Sequence, residues 1–170
     1  MGYTTKFEGS FTITPTLTKE HQDYLIGFSK TRRMKRIVTK VKKLPDPIRI
    51  AAGLPIGEEG GYFIGEGDDQ SKKIMDDDSI KDLNKPPKDQ PGLWCQWIPF
   101  NNFSLEWDRG EKFYNYTLWL EYIIKHFLKR WGYNLNGEVI WYGENSEDIG
   151  KIIIKENKIL IKSGKIVYEE

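Results

Sequence analysis

Lys151-Ile152-Ile153-Ile154-Lys155-Glu156-Asn157-Lys158-Ile159-Leu160-Ile161-Lys162 decides the fold class. Two runs rich in isoleucine, Lys151–Lys155 and Lys158–Lys162, are separated by two residues. Branched side chains suit a pleated strand, and a two-residue polar connection joins neighbouring strands. The stretch reads as two strands turning tightly at Glu156-Asn157. Glu138–Tyr142 reads as a strand before them, and Ile166-Val167-Tyr168 as a short final strand.

Upstream lies the strongest helical signal. Tyr116, Leu120, Ile123, Phe127 and Trp131 follow spacings of three and four, so a helix is expected over 111–131. Gly132 is its natural stop. Leu93–Ile98 and Ser104–Trp107 read as a hairpin turning at Pro99, Asn101 and Asn102. At the start, Phe7, Phe11 and Ile13 share one side of a strand that Pro15 ends. Thr18 is the expected N-cap of a first helix, which carries Tyr24, Leu25 and Phe28 inward and runs to about Thr31. The order predicts an α+β fold: an antiparallel sheet with two main helices on one face. Its first six elements are compatible with a ferredoxin-like βαββαβ order, with extra C-terminal strands.

The 170 residues read as a single α+β domain, 1–170. Residues 45–90 form a loop-rich, acidic insertion punctuated by prolines and glycines, with one short helix near Pro47–Ala52, one short strand at Tyr62–Ile64 and a mobile part at about 66–90. Net charge is +1, so nothing draws the whole chain to nucleic acid or to a membrane. One cysteine excludes an intramolecular disulfide and a cysteine metal cluster. No apolar signal core and no run of about 18 apolar residues is present, so a soluble cytoplasmic protein is expected. His21 and His126 belong to no ligand motif, and no nucleophile–base set assembles. No cofactor and no metal are expected.

Trp94, Trp97 and Trp107 put large aromatics on both faces of the expected hairpin. One reading makes them core; the other makes them an aromatic groove, with Glu106, for a ligand or partner. Glu106 and Asp108 are the candidate carboxylates for an enzyme acting on a nucleotide-like substrate. Against that, Asp108 with Glu111 resembles a helix cap. Cys95 reads as an inert buried thiol.

The basic segment 30–43 holds eight basic residues in fourteen and no acid. Arg32, Arg33, Lys35, Arg36, Lys40, Lys42 and Lys43 could follow a phosphate backbone. Alternatively they pair with the protein's own acidic insertion, which holds Asp76-Asp77-Asp78.

Several segments together resemble a family of hypothetical bacterial proteins with no assigned activity. They are Lys30–Arg36, Ala52–Gly57, Gly92–Trp97, Leu105–Asp108 with Gly110–Tyr114, and Trp131–Tyr133 with Leu135–Val139. The C-terminal half is similar to other small bacterial and phage proteins of unknown function. The resemblance supplies no catalytic residues and implies a regulatory, defence or counter-defence setting. The expected function is therefore a non-enzymatic binding protein for a protein or small ligand. Nucleic-acid binding through 30–43 and a nucleotide-directed enzyme are the alternatives.

Overall fold

A computed structural model describes residues 2–63 and 76–170. The chain is α+β and divides into two compact units. One comprises the first seventeen residues with Gln96–Glu170; the other is Thr18–Cys95.

The first unit holds a six-stranded antiparallel sheet. Its strands are β1 (Lys6–Thr14), β4 (Trp97–Pro99), β5 (Ser104–Trp107), β6 (Asn134–Tyr142), β7 (Ile149–Lys155) and β8 (Lys158–Ser163). They lie in the order β4-β5-β1-β6-β7-β8. Alternation sets the two faces. Phe7, Phe11 and Ile13 of β1 are buried on the same side as Leu105, Leu135, Val139, Trp141, Ile152 and Ile154. The main helix covers that side: α4 (Tyr116–Ile123) runs through a π-helical stretch at Ile124–Leu128 into α5 (Lys129–Trp131). Trp119, Leu120, Ile123, Ile124, Phe127 and Leu128 are buried along it. Gly132 ends it at φ 85°, as the sequence implies.

Two central glycines let β1 and β6 approach. Gly9 has φ 107°, and a Cβ there would sit 2.6 Å from the Glu138 carbonyl oxygen. Gly137 has φ 135°, and its Cβ would meet the Ser10 carbonyl oxygen at 2.8 Å. A side chain at either position would collide with the neighbouring strand.

The second unit holds α1 (Lys19–Lys30), α2 (Val38–Val41), α3 (Pro47–Ala51) and the two-stranded pair β2 (Lys35–Arg36) and β3 (Ile80–Asp82). The Thr18 hydroxyl accepts the backbone N–H of His21 at 3.3 Å, which caps α1 as expected.

Several expectations need correction. The main helix begins at Tyr116, not at 111. Arg109, Lys112 and Asn115 have φ of 67°, 57° and 57°, a left-handed backbone that breaks any right-handed helix. Asp108 therefore caps no helix; its Oδ1 accepts from Gly110 N at 2.7 Å in a local turn. Only Trp97–Pro99 of the segment starting at Leu93 is strand. The Leu93 carbonyl instead accepts from Arg33 N at 2.7 Å. Tyr62 and Phe63 lie outside any strand, and Ile166-Val167-Tyr168 adds none. Ile64 and the first part of the stretch expected to be mobile, 66–75, fall outside the described residues; β3 lies in its remainder.

Candidate functional site

The tryptophans resolve by position. Trp97 and Trp107 are direct cross-strand partners on the helix-facing side of the sheet. Trp97 is buried, and its indole N–H donates to the Tyr116 carbonyl at 2.8 Å. Trp107 is half-buried, and its indole N–H donates to Gln96 Oε1 at 3.1 Å. Phe7 meets both rings edge-on, at 5.2 and 5.4 Å between centroids. Phe113 and Tyr116 extend this cluster around Phe7, at 5.9 and 4.9 Å. These aromatics are the seam between sheet and helix. Trp94 belongs to the other unit and is 39% exposed. Glu106 points to the opposite side of the sheet from Trp97 and Trp107, across from Ile98. The structure therefore separates Glu106 from the two tryptophans. Partial burial pushes the Asp108 carboxyl up, while the N–H of Gly110 draws it down.

The basic segment splits in two. Arg33 and Arg36 are buried. Arg36 Nη1 donates to Asp77 Oδ2 at 2.7 Å and to the Ser79 hydroxyl at 2.8 Å, with its guanidinium over the Tyr62 ring. Arg33 donates to Gln90 and to the Gly60 carbonyl, and stacks over Phe28 at 4.4 Å. Lys40 meets Asp78 at 3.1 Å at the surface. Asp77 and Asp78 thus take up part of the basic charge. Burial opposes ionisation of Asp77, but bonds from Ser79 and Arg36 hold its carboxyl below the usual range. Arg32 donates to the Leu83 carbonyl at 2.9 Å and to Asn84. Lys35 is half-exposed, while Lys40, Lys42 and Lys43 are exposed.

Sequence reasoning missed two features. The first surrounds Asp46, which is 5% exposed, ahead of α3. Arg49 of α3 donates to the Tyr24 hydroxyl at 2.6 Å, to Glu58 at 2.8 Å and to the Pro55 carbonyl. Among the described residues neither Asp46 carboxylate oxygen makes a hydrogen bond of good geometry. Burial pushes the carboxyl up to about 6, against the pull of Arg49 with its N–H, Arg33 and Arg36. Nothing in the local sequence Pro45-Asp46-Pro47 marks this position. Nearby elements also line a hollow of about 440 Å³ between Ile26, Gly27, Ile48 and Phe63, with Asp23 and Lys30 at its polar edge.

The second feature is the outer face of the sheet. Lys151 pairs directly across from Lys162, and Lys155 from Lys158. Like charges directly opposite each other are unfavourable. Between them lie Ile153 and Leu160, themselves cross-strand partners, with Leu160 53% exposed. A shallow hollow of about 360 Å³ opens here, floored by Ile140, Ile149 and Ile153 and edged by Lys151, Lys162 and Glu138. Lys151 Nζ reaches Glu138 Oε2 at 3.1 Å. Further along the same face come Glu8 of β1 and Glu106 of β5. The face carries Glu106 on β5, Lys6 and Glu8 on β1 and Glu138 on β6, while β7 and β8 present lysines and no acid. Its signal was in the sequence as lysines at alternate positions around Ile153 and Leu160.

Among the described residues no group of three or more His, Cys, Asp or Glu converges as a metal site. Among them, too, no helix is long and apolar enough to cross a membrane. No protein-family model, no curated protein and no solved structure matches this chain.

Proposed function

We propose that this is an interaction protein whose binding surface is the outer face of the six-stranded sheet. The observation that carries the reading is the strip of half-buried Ile153 and exposed Leu160, framed by two opposed lysine pairs. Leu160 presents apolar area to solvent in the middle of that strip, where burial would be favourable at about 25 cal/mol per Å². The lysines beside it repel one another, and a partner with acidic groups would relieve that repulsion. The strand order also supports the ferredoxin-like βαββαβ reading. β5 lies between β1 and β4, and β1 lies between β5 and β6. This interleaving is the split arrangement that defines such folds.

The test compares immobilised wild type with Leu160→Glu in capture from a native lysate. The variant is expected to lose the partners that wild type retains. Equal retention of the same partners by both would sink the reading.

A further inference from the structure

We propose that the outer face of the sheet binds a second copy of this chain, face to face, with the two-fold axis running along β6. The inference rests on the reading above and names its partner.

Glu8, Ile140, Lys151 and Lys162 form one row across β1, β6, β7 and β8. β6 lies between β1 and β7. A half-turn about an axis along β6 exchanges β1 with β7 of the second copy. It lays Lys151 over Glu8 and Glu8 over Lys151, with Ile140 against Ile140. A two-fold interface must be self-complementary in this way. In the neighbouring row of Ser10, Glu138 and Ile153, Glu138 falls at the centre. It lies against Glu138 of the second copy, a like-charge contact that each copy's own Lys151, at 3.1 Å, offsets. One row further, Lys6, Tyr142 and Ile149 line up, and Tyr142 would sit against its own copy.

An axis across the strands through the Ile153–Leu160 row would set β7 and β8 on themselves, with Lys151 over Lys155 and Lys158 over Lys162. The six strands, three to nine residues long at about 3.3 Å per residue and roughly 4.8 Å apart, offer about 600 Å² per copy, below the roughly 800 Å² of a standard interface, so the dimer is expected to be weak. Aligned sheets pack face to face at about 10 Å, with side chains of this size filling the gap.

The experiment measures self-association of the full chain by sedimentation over a concentration series at low salt. Wild type is expected to dimerise, and added salt to weaken the dimer. Glu8→Lys and Lys151→Glu are each expected to weaken it at least tenfold, since each creates two like-charge contacts. Mixed in equal amounts, the two variants are expected to restore wild-type association, because the lysine introduced in one then meets the glutamate introduced in the other. Circular dichroism checks that both variants are folded. A wild type that stays monomeric at every concentration overturns the proposal. So do two variants that associate as tightly as wild type, or a mixture that associates no better than either alone. A monomeric wild type whose Leu160→Glu variant still loses a captured partner keeps the face as a binding surface and removes the second copy from it. Salt-sensitive binding of a fluorescent oligonucleotide by a monomeric wild type would likewise overturn it.

Discussion

Asp46 and Asp77 are both carboxylates set among arginines, yet they titrate in opposite directions. Asp46 is held by burial at about 6, above its unfolded value of 3.8. Below the unfolded value both states bind the proton, and Asp46 costs nothing. Between the two values the unfolded state ionises first, so stability falls as pH rises; above about 6 the loss is complete. Asp46→Asn removes that ionisation and is expected to stabilise the protein by about 1–3 kcal/mol at pH 7, with no gain near pH 4. Denaturant melts at the two pH values check it. Asp77 has the reverse sign. Its depressed carboxyl contributes stability above the unfolded value, and that contribution disappears as pH falls through the folded one. Its partner Arg36 is 2% exposed in its side chain, so Asp77→Ala strands a buried charge. The expected cost is about 3–5 kcal/mol. Asp78 meets Lys40 in solvent, and Asp78→Ala should cost less than about 1 kcal/mol. Equal losses for Asp77→Ala and Asp78→Ala would contradict this ranking of the two pairs.

Among the elements, the β7–β8 hairpin shows how a turn can be legible in type and imperfect in detail. Glu156 and Asn157 have φ of 47° and 68°, the left-handed pair that a two-residue hairpin turn needs. Asn157 suits the site and is fixed there, donating to the Tyr133 carbonyl at 2.9 Å and accepting from Leu135 N at 2.7 Å. Glutamate gains nothing from a left-handed backbone. Glu156→Gly is expected to raise stability by about 0.5–1 kcal/mol, measured as a shift in denaturant midpoint. A decrease would mean that the Glu156 side chain contributes to the turn. The hairpin, β1, α1 and the body of the main helix were readable because apolar periodicity repeats over several residues. The start of the main helix was not. Arg109, Lys112 and Asn115 carry left-handed backbone with no glycine to announce it. Leu93–Gln96 alternates as a strand would, yet it forms none, and its Leu93 carbonyl is taken by Arg33 N. The Trp97 and Trp107 positions were readable as aromatic pairs. Which face they shared depended on a register that only the β4–β5 pairing supplies.

At the scale of the molecule, a net charge of +1 hides strong local segregation. Arg36 with Asp77 is buried, whereas Lys40 with Asp78 and Lys151 with Glu138 are exposed. Salt screens exposed pairs far more than buried ones. At protein concentrations where only monomer is present, adding about 0.5 M sodium chloride should shift the thermal midpoint by less than about 4 °C. A larger drop would show that surface pairs carry much of the fold. Self-association of the sheet face should respond strongly to the same salt, so the two effects separate cleanly.

Among the described residues β8 is also the last strand of its sheet, and one of its two edges has no neighbouring strand. Its exposed Leu160 and Ile161 face opposite sides, a sequence that would template further strands if nothing prevented it. Lys158 and Lys162 bracket those residues. Stacked edge to edge in successive molecules, these lysines would bring charge against charge. The same repulsion that leaves the face in want of an acidic partner therefore acts as a gatekeeper against polymerisation, and a chain stripped of both lysines would be prone to fibres.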